Sequence, residues 1–188
     1  MQNRKDFYFK KAKKEGYLAR SIYKLLEINK KYDLIKPNSR VLDLGSAPGS
    51  WVQACLKLNV GEITGIDIDK VKVQHPRFKF INEDIYKLDT KKLKNYDTVL
   101  SDLAPKTSGN KDLDAEKSIQ LSYKALEIAR LVLKQNGNFL VKVFQGPDFE
   151  SLLKEIKKYF SFCKCFKPKS TRSSSKEIYV VAKGYINR

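Results

Sequence analysis

The sequence has a single histidine, His75, and only three cysteines, Cys55, Cys163 and Cys165. His75 stands in a polar stretch before Pro76. Serine–histidine catalysis and histidine metal sites therefore have little to build on. Cys163-x-Cys165 lacks the further ligands of a zinc site, and the thiols read as small core or surface residues in a reducing compartment. No metal is expected. No apolar run approaches the length of a membrane span, and the start, Met1 to Phe9, is polar and aromatic rather than a secretory leader. Acids are scarce as well: 21 Asp and Glu against 38 Lys and Arg leave a net charge of +17. A surface of that sign is expected to meet nucleic acid rather than a membrane. The first 24 residues hold eight basic side chains and two acids. They suit nucleic-acid binding and organelle targeting equally, so an intracellular protein is expected, with cytoplasm, nucleolus and mitochondrion left open.

What is present is a mixed α/β pattern without repeats or a convincing linker. At 188 residues the chain suits one domain over 1–188, with a basic helical segment at about 1–36. Leu18, Ile22 and Leu25/Leu26 give helical spacing from Tyr17 to Tyr32. Strands are predicted at Val41–Leu44, Glu62–Ile68, Phe78–Ile81, Tyr96–Leu100 and Asn138–Phe144. Helices are predicted at Ser50–Leu58 and Leu113–Lys134, the second with Ile119, Tyr123, Leu126 and Leu133 on its apolar face and Gly137 just past its end. A further helix begins at Gly146-Pro147 and buries Phe149, Leu152, Leu153 and Ile156. The alternation predicts a mostly parallel sheet with helices on both faces. The last strands, Phe160–Phe166 and Glu177–Ala182, are separated only by Lys167–Lys176, too short for a crossover helix, so this pair should be antiparallel.

The chain is organised around Asp43-Leu44-Gly45-Ser46-Ala47-Pro48-Gly49-Ser50-Trp51, a strand end, a tight loop and a first helical turn. Loops at the carboxyl ends of parallel strands hold nucleotide-like ligands. Gly45 and Gly49 allow close backbone approach. An acid at Asp43 argues against a pyrophosphate and for a ligand with a cationic or hydroxyl part, such as S-adenosylmethionine. Asp67 ends the second strand and could accept from ribose hydroxyls. Asp84 follows the third strand and could accept from an adenine amino group, while Asp102 ends the fourth. Each acid alone reads as a loop or cap residue; together they share one end of one sheet.

Lysines stand where burial is expected. Lys142 interrupts Phe139-Leu140-Val141-Lys142-Val143-Phe144, a strand covered on both faces. An amine there is costly unless it is paired or reaches a crevice. Lys24, in Arg20-Ser21-Ile22-Tyr23-Lys24-Leu25, and Glu177, opening the last strand, would each alone read as surface charge.

Taken in order, these segments resemble the FtsJ/RrmJ family of ribose 2′-O-methyltransferases, whose Lys-Asp-Lys-Glu tetrad matches Lys24, Asp102, Lys142 and Glu177. The matching segments include Ser101-Asp102-Leu103-Ala104-Pro105, Leu140-Val141-Lys142-Val143-Phe144-Gln145-Gly146 and Ser173-Ser174-Ser175-Lys176-Glu177-Ile178-Tyr179-Val180-Val181-Ala182. The resemblance runs from about Tyr17 to Gly184. It implies a Rossmann-like methyltransferase fold with a seven-stranded, mostly parallel sheet and one antiparallel strand. S-adenosylmethionine is the implied methyl donor and becomes S-adenosylhomocysteine. The implied cofactor contacts are Gly49, Trp51, Asp67, Asp84 and Asp102, and the loop adds Asp43, Gly45, Ser46 and Pro48 as candidates. The implied acceptor is RNA, above all a uridine of large-subunit ribosomal RNA within a ribosomal particle, acted on by a monomer. Ser50 departs from the second glycine of that branch and is shared with the transfer RNA branch. Transfer RNA or an mRNA cap is the same-class alternative. A non-catalytic RNA-binding assembly factor is the alternative of another class, and a small-molecule methyltransferase is disfavoured by the charge.

In the implied reaction Lys142 orients the ribose hydroxyl and receives its proton late, while Asp102 and Glu177 hold the lysines. Lys24 favours a neutral amine at Lys142, and the acids favour the ammonium. Two basic clusters are expected to flank the crevice and neutralise phosphates. One is Arg4, Lys5, Lys10, Lys11, Lys13, Lys14, Arg20 and Lys24; the other is Lys154, Lys157, Lys158, Lys164, Lys167, Lys169, Arg172 and Lys176. Phe7, Tyr8 and Phe9 offer stacking faces.

Overall fold

A computed structural model describes residues 4–106, 108–172 and 175–186. Two helices, α1 (Arg4–Lys14) and α2 (Ile22–Tyr32), precede the alternating region β1 (Arg40–Leu44), α3 (Ser50–Lys57), β2 (Glu62–Asp67), β3 (Phe78–Asn82), β4 (Tyr96–Ser101), α4 (Lys111–Val132), β5 (Leu133–Phe144), α5 (Phe149–Lys157), β6 (Phe160–Phe166) and β7 (Glu177–Tyr185). The strands form one seven-stranded sheet in the order β3-β2-β1-β4-β5-β7-β6. The first five run parallel, and β7 is antiparallel to both β5 and β6.

Side chains alternate across a strand, and here the alternation separates two cores. Leu42, Leu44, Phe139, Val141 and Val143 pack with α4 and α5, whereas Val41, Leu100, Leu140, Tyr179 and Val181 pack with α2 and α3. Period two therefore assigns Asp43 and Lys142 to the α2/α3 face. α2 buries Ile22, Leu25 and Ile28 and stops at Asp33, whose left-handed backbone donates its N–H to the Asn29 carbonyl.

Several expectations are corrected. The predicted helix from Tyr17 starts at Ile22, and Leu18 is exposed. The long helix ends at Val132 rather than Lys134, because Leu133 is already extended and paired with Tyr96. Gly137 is no helix cap: it lies in β5, where the β4–β5 register shifts. Tyr123 lies on the solvent side of α4 instead of its apolar face.

Candidate active site

The carboxyl ends of the parallel strands, the start of β7 and the start of α2 meet at one edge of the sheet. The β5–β7 ladder sets Lys142 opposite Tyr179 and Phe144 opposite Glu177. Lys142 Nζ lies 3.0 Å from Asp102 Oδ1 and also donates to the Asp102 carbonyl. Lys24 Nζ lies 2.6 Å from Glu177 Oε1. The lysine side chains are only 7% and 10% exposed, so each buried cation meets the anion its burial requires. All four residues of the expected tetrad are thus brought together, from α2, the end of β4, β5 and β7.

Tyr179 joins the pairs, and sequence reasoning passed over it as a strand aromatic. Its hydroxyl donates to Asp102 Oδ1 at 3.0 Å. Its ring lies 5.8 Å from Lys24 Nζ and 5.9 Å from the ring of Trp51. Full burial, with Asp102 and Glu177 close by, holds the phenol well above its ordinary range, so it stays a donor. The signal that finds it is register: it is the residue paired with Lys142.

The loop after β1 is built by close backbone approach. Gly45 has φ 79°, and a Cβ there would come within 3.0 Å of the Leu103 nitrogen and Leu103 Cδ2. Gly49 has φ 113°, and a Cβ would meet Val73 at 2.6 Å. Pro48 follows a cis peptide bond. Asp67 accepts from the Ala47 N–H and the Asp69 N–H, both at 2.9 Å, so it shapes the loop while keeping lone pairs free. Asp84 Oδ1 accepts from the Tyr86 N–H at 3.0 Å. Beside these acids Ile68 and Tyr86 are 61% and 56% exposed, apolar surface that sequence reasoning did not single out.

Asp43 and Trp51 are both buried. The Asp43 side chain does not line an open crevice. It is fully buried, neither carboxyl oxygen has a hydrogen-bond partner among the described residues, and burial with Asp102 and Asp67 nearby raises its proton affinity strongly. The Ser46 hydroxyl is buried and unpartnered too. The Trp51 indole is also buried: its N–H donates to the Ser21 carbonyl at 3.0 Å, which leaves only its backbone for a ligand. Ser50 Oγ lies 2.5 Å from Ser21 Oγ, so the departing residue ties α3 to the segment before α2.

The second basic cluster is split. Lys167, Lys169, Arg172 and Lys176 lie in the β6–β7 loop at the tetrad end of the sheet. α5 runs back toward the start of β6, carrying Lys154 and Lys157 away, and Lys158 beyond it is paired with Glu155 at 2.6 Å. Lys164 sits within β6. In α1, Tyr8 packs on Tyr23 at 5.5 Å, while Phe7 and Phe9 are exposed. Ser173 and Ser174 and the side chains of Arg4 and Lys5 lie outside the described residues. A wide cavity of about 1060 Å³ at the opposite end of the strands holds none of the tetrad, and its Lys36 and Lys134 are paired with Asp33 and Asp97.

The FtsJ-like methyltransferase family model matches residues 17–185, which span the tetrad, the loop and every strand. The chain belongs to this family. Among curated relatives, ribosomal RNA large subunit methyltransferase E of Desulfosudis oleivorans is 45% identical over 94% of this chain and 88% of its own length. The protein of that name from Brachyspira hyodysenteriae is 42% identical and covers 98% of both chains. A solved ribosomal RNA methyltransferase from Plasmodium falciparum superposes with a TM-score of 0.80 at 31% identity, over 92% of this chain and 100% of that one. The chain is therefore an FtsJ-like methyltransferase with a Rossmann-like fold, and the buried ion pairs sit at the end of the sheet where that fold places ligands.

Proposed function

We propose that this FtsJ-like enzyme transfers the methyl group of S-adenosylmethionine to a ribose 2′-hydroxyl of large-subunit ribosomal RNA. The observation that carries this reading is the pair of buried lysines, Lys142 and Lys24, each held by an acid and linked through Tyr179. RNA binding alone requires no such linked pair below the surface.

The residues of the loop fit the donor. A cationic, phosphate-free ligand suits a rim that carries the carboxylates of Asp67 and Asp84. The remaining lone pairs of Asp67 suit ribose hydroxyls, and Ile68 and Tyr86 offer apolar surface to a purine. Asp43 is buried at the strand end that leads into the loop. S-adenosylmethionine supplies an electrophilic sulfonium methyl.

As the neutral amine, Lys142 positions the acceptor hydroxyl and takes its proton as the new carbon–oxygen bond forms and the methyl leaves sulfur; the ammonium that results is held by Asp102. Asp102 fixes Lys142 from carboxylate and carbonyl, and Tyr179 fixes Asp102. Glu177 neutralises Lys24, so the second cation sits beside the acceptor without repelling its neighbour. Alignment of the reacting oxygen supplies most of the acceleration. One chain provides the whole tetrad, so a monomer suffices for the reaction, which takes place inside the cell where the RNA is found. Ser50, the residue that favoured transfer RNA, has a local task at Ser21 and leaves the large-subunit reading ahead.

The test is transfer of labelled methyl to hypomethylated large-subunit particles, small-subunit particles and transfer RNA, with Lys142→Ala alongside. Label in large-subunit RNA, at an alkali-resistant linkage and absent with the variant, is expected. Label in transfer RNA would move the substrate, and no label despite cofactor binding would end the catalytic reading.

A further inference from the structure

Arg20, just before α2, and Arg172, in the β6–β7 loop, line one cavity of about 440 Å³ together with Ser175 and Glu177. Neither guanidinium has a hydrogen-bonded or ion-paired partner among the described residues, and the nearby carboxylate, Glu177, is already paired with Lys24. Burial and the facing Arg172 both push the Arg20 guanidinium below its ordinary value, as two like charges in one recess must. Such a pair does not assemble by its own attraction.

The force that assembles it comes from α2. Glu27 stands one turn after Lys24 on that helix. Its Oε2 accepts the Lys169 N–H at 2.7 Å and its Oε1 accepts the Ser170 N–H at 3.2 Å. Ser170 and Thr171, within the loop, are buried. The far side of the loop is fixed by Lys24 on Glu177 and by the Gln145 N–H on the Lys176 carbonyl at 3.0 Å. A single turn of α2 therefore grips the loop at both ends and holds Arg172 opposite Arg20.

We propose that Arg20 and Arg172 form a phosphodiester subsite for the RNA, kept assembled before RNA arrives by Glu27, a positioning residue. The inference rests on the RNA-methylating reading above. A ribose 2′-hydroxyl has a phosphodiester on the adjacent carbon, so an acceptor held at Lys142 brings one phosphate to the neighbourhood of Glu177. Two guanidiniums offer that phosphate forked donors as well as charge. Because both face one recess, they share one phosphate.

The experiment is salt-dependent binding of an unmethylated transcript of large-subunit RNA, with calorimetric affinity for S-adenosylmethionine and thermal melting as parallel readouts. Each phosphate contact contributes about 0.7–0.9 to the slope of log K against log salt. Arg20→Gln and Arg172→Gln should each weaken RNA binding about tenfold and lower the slope by about that one contact. The double variant should lower the slope no further. Glu27→Ala should reproduce the loss, with Glu27→Gln, which keeps one acceptor, in between. Lys157→Gln, on the receding end of α5, should change nothing. Cofactor affinity and melting should stay at wild-type values for the arginine variants. Unchanged RNA binding in both arginine variants, or a double variant that loses two contacts, would overturn the shared subsite. Unaltered binding in Glu27→Ala would overturn the latch. If the wild-type protein neither binds nor methylates RNA, it is the function proposed above that fails.

Discussion

Tyr179 and Lys142 face each other across the β5–β7 ladder, and both end on the same carboxylate oxygen of Asp102. The phenol is therefore part of the site's hydrogen bonding as well as of its packing. Tyr179→Phe keeps the ring against Trp51 and beneath Lys24 and removes the hydroxyl that bonds to Asp102 and lies beside Glu177. A hydrogen bond to a charged group contributes about 1.5–3 kcal/mol, so single-turnover methyl transfer should fall roughly ten- to hundredfold. Cofactor affinity should change little, while the melting temperature should fall by several degrees.

Lys142→Ala removes the group assigned to the acceptor proton. Methyl transfer should drop about a hundred- to ten-thousand-fold, while S-adenosylmethionine still binds in calorimetry. Retention of near-normal turnover would show that Lys142 is not the proton acceptor.

The Lys24–Glu177 pair offers a stability test that separates structure from chemistry. Both side chains are nearly buried. Glu177→Gln leaves a buried ammonium without its anion and should cost about 3–5 kcal/mol in denaturant unfolding. Replacing both residues by methionine should recover most of that stability, because no charge is left unpaired. Activity should not return with it.

Asp43 predicts a pH dependence of opposite sign to that of an ordinary acid. Burial raises its folded-state proton affinity well above that of an ordinary aspartate, so the folded protein holds a proton that the unfolded chain releases. Stability from this group is complete below the unfolded value and falls as pH rises above it. Asp43→Asn should therefore raise the melting temperature more at pH 8 than at pH 4, which scanning calorimetry at both values would measure.

Much of the architecture was legible because it rests on local alternation. Strand and helix periods marked the parallel sheet, and a lysine inside Phe139–Phe144 marked its own exception. The acids at the strand ends could be placed at one end of the sheet, and the family resemblance picked out the four residues of the expected tetrad, which the structure brings together. Other features depend on neighbours that no local pattern names. Leu133 and Lys134 read as the last turn of the long helix, and only pairing of Leu133 with Tyr96 turns them into strand. The two closing strands were readable as an antiparallel pair, but not which of them lies against β5. Glu27 resembles any solvated helical acid until the backbone of the β6–β7 loop arrives at its carboxylate. Asp43 looked like a ligand acid because sequence shows the strand end, not the depth of the side chain below it.

The sheet order carries one more consequence. β7 lies between β5 and β6, although both of its neighbours precede it in the chain. During synthesis, β6 can be complete while its position in the sheet has no partner, and β5 waits with an open edge. The strand that closes this gap also brings Glu177 and Tyr179 to the lysines. Completion of the sheet and assembly of the proposed tetrad are thus one event, and a nascent chain halted within the β6–β7 loop has neither.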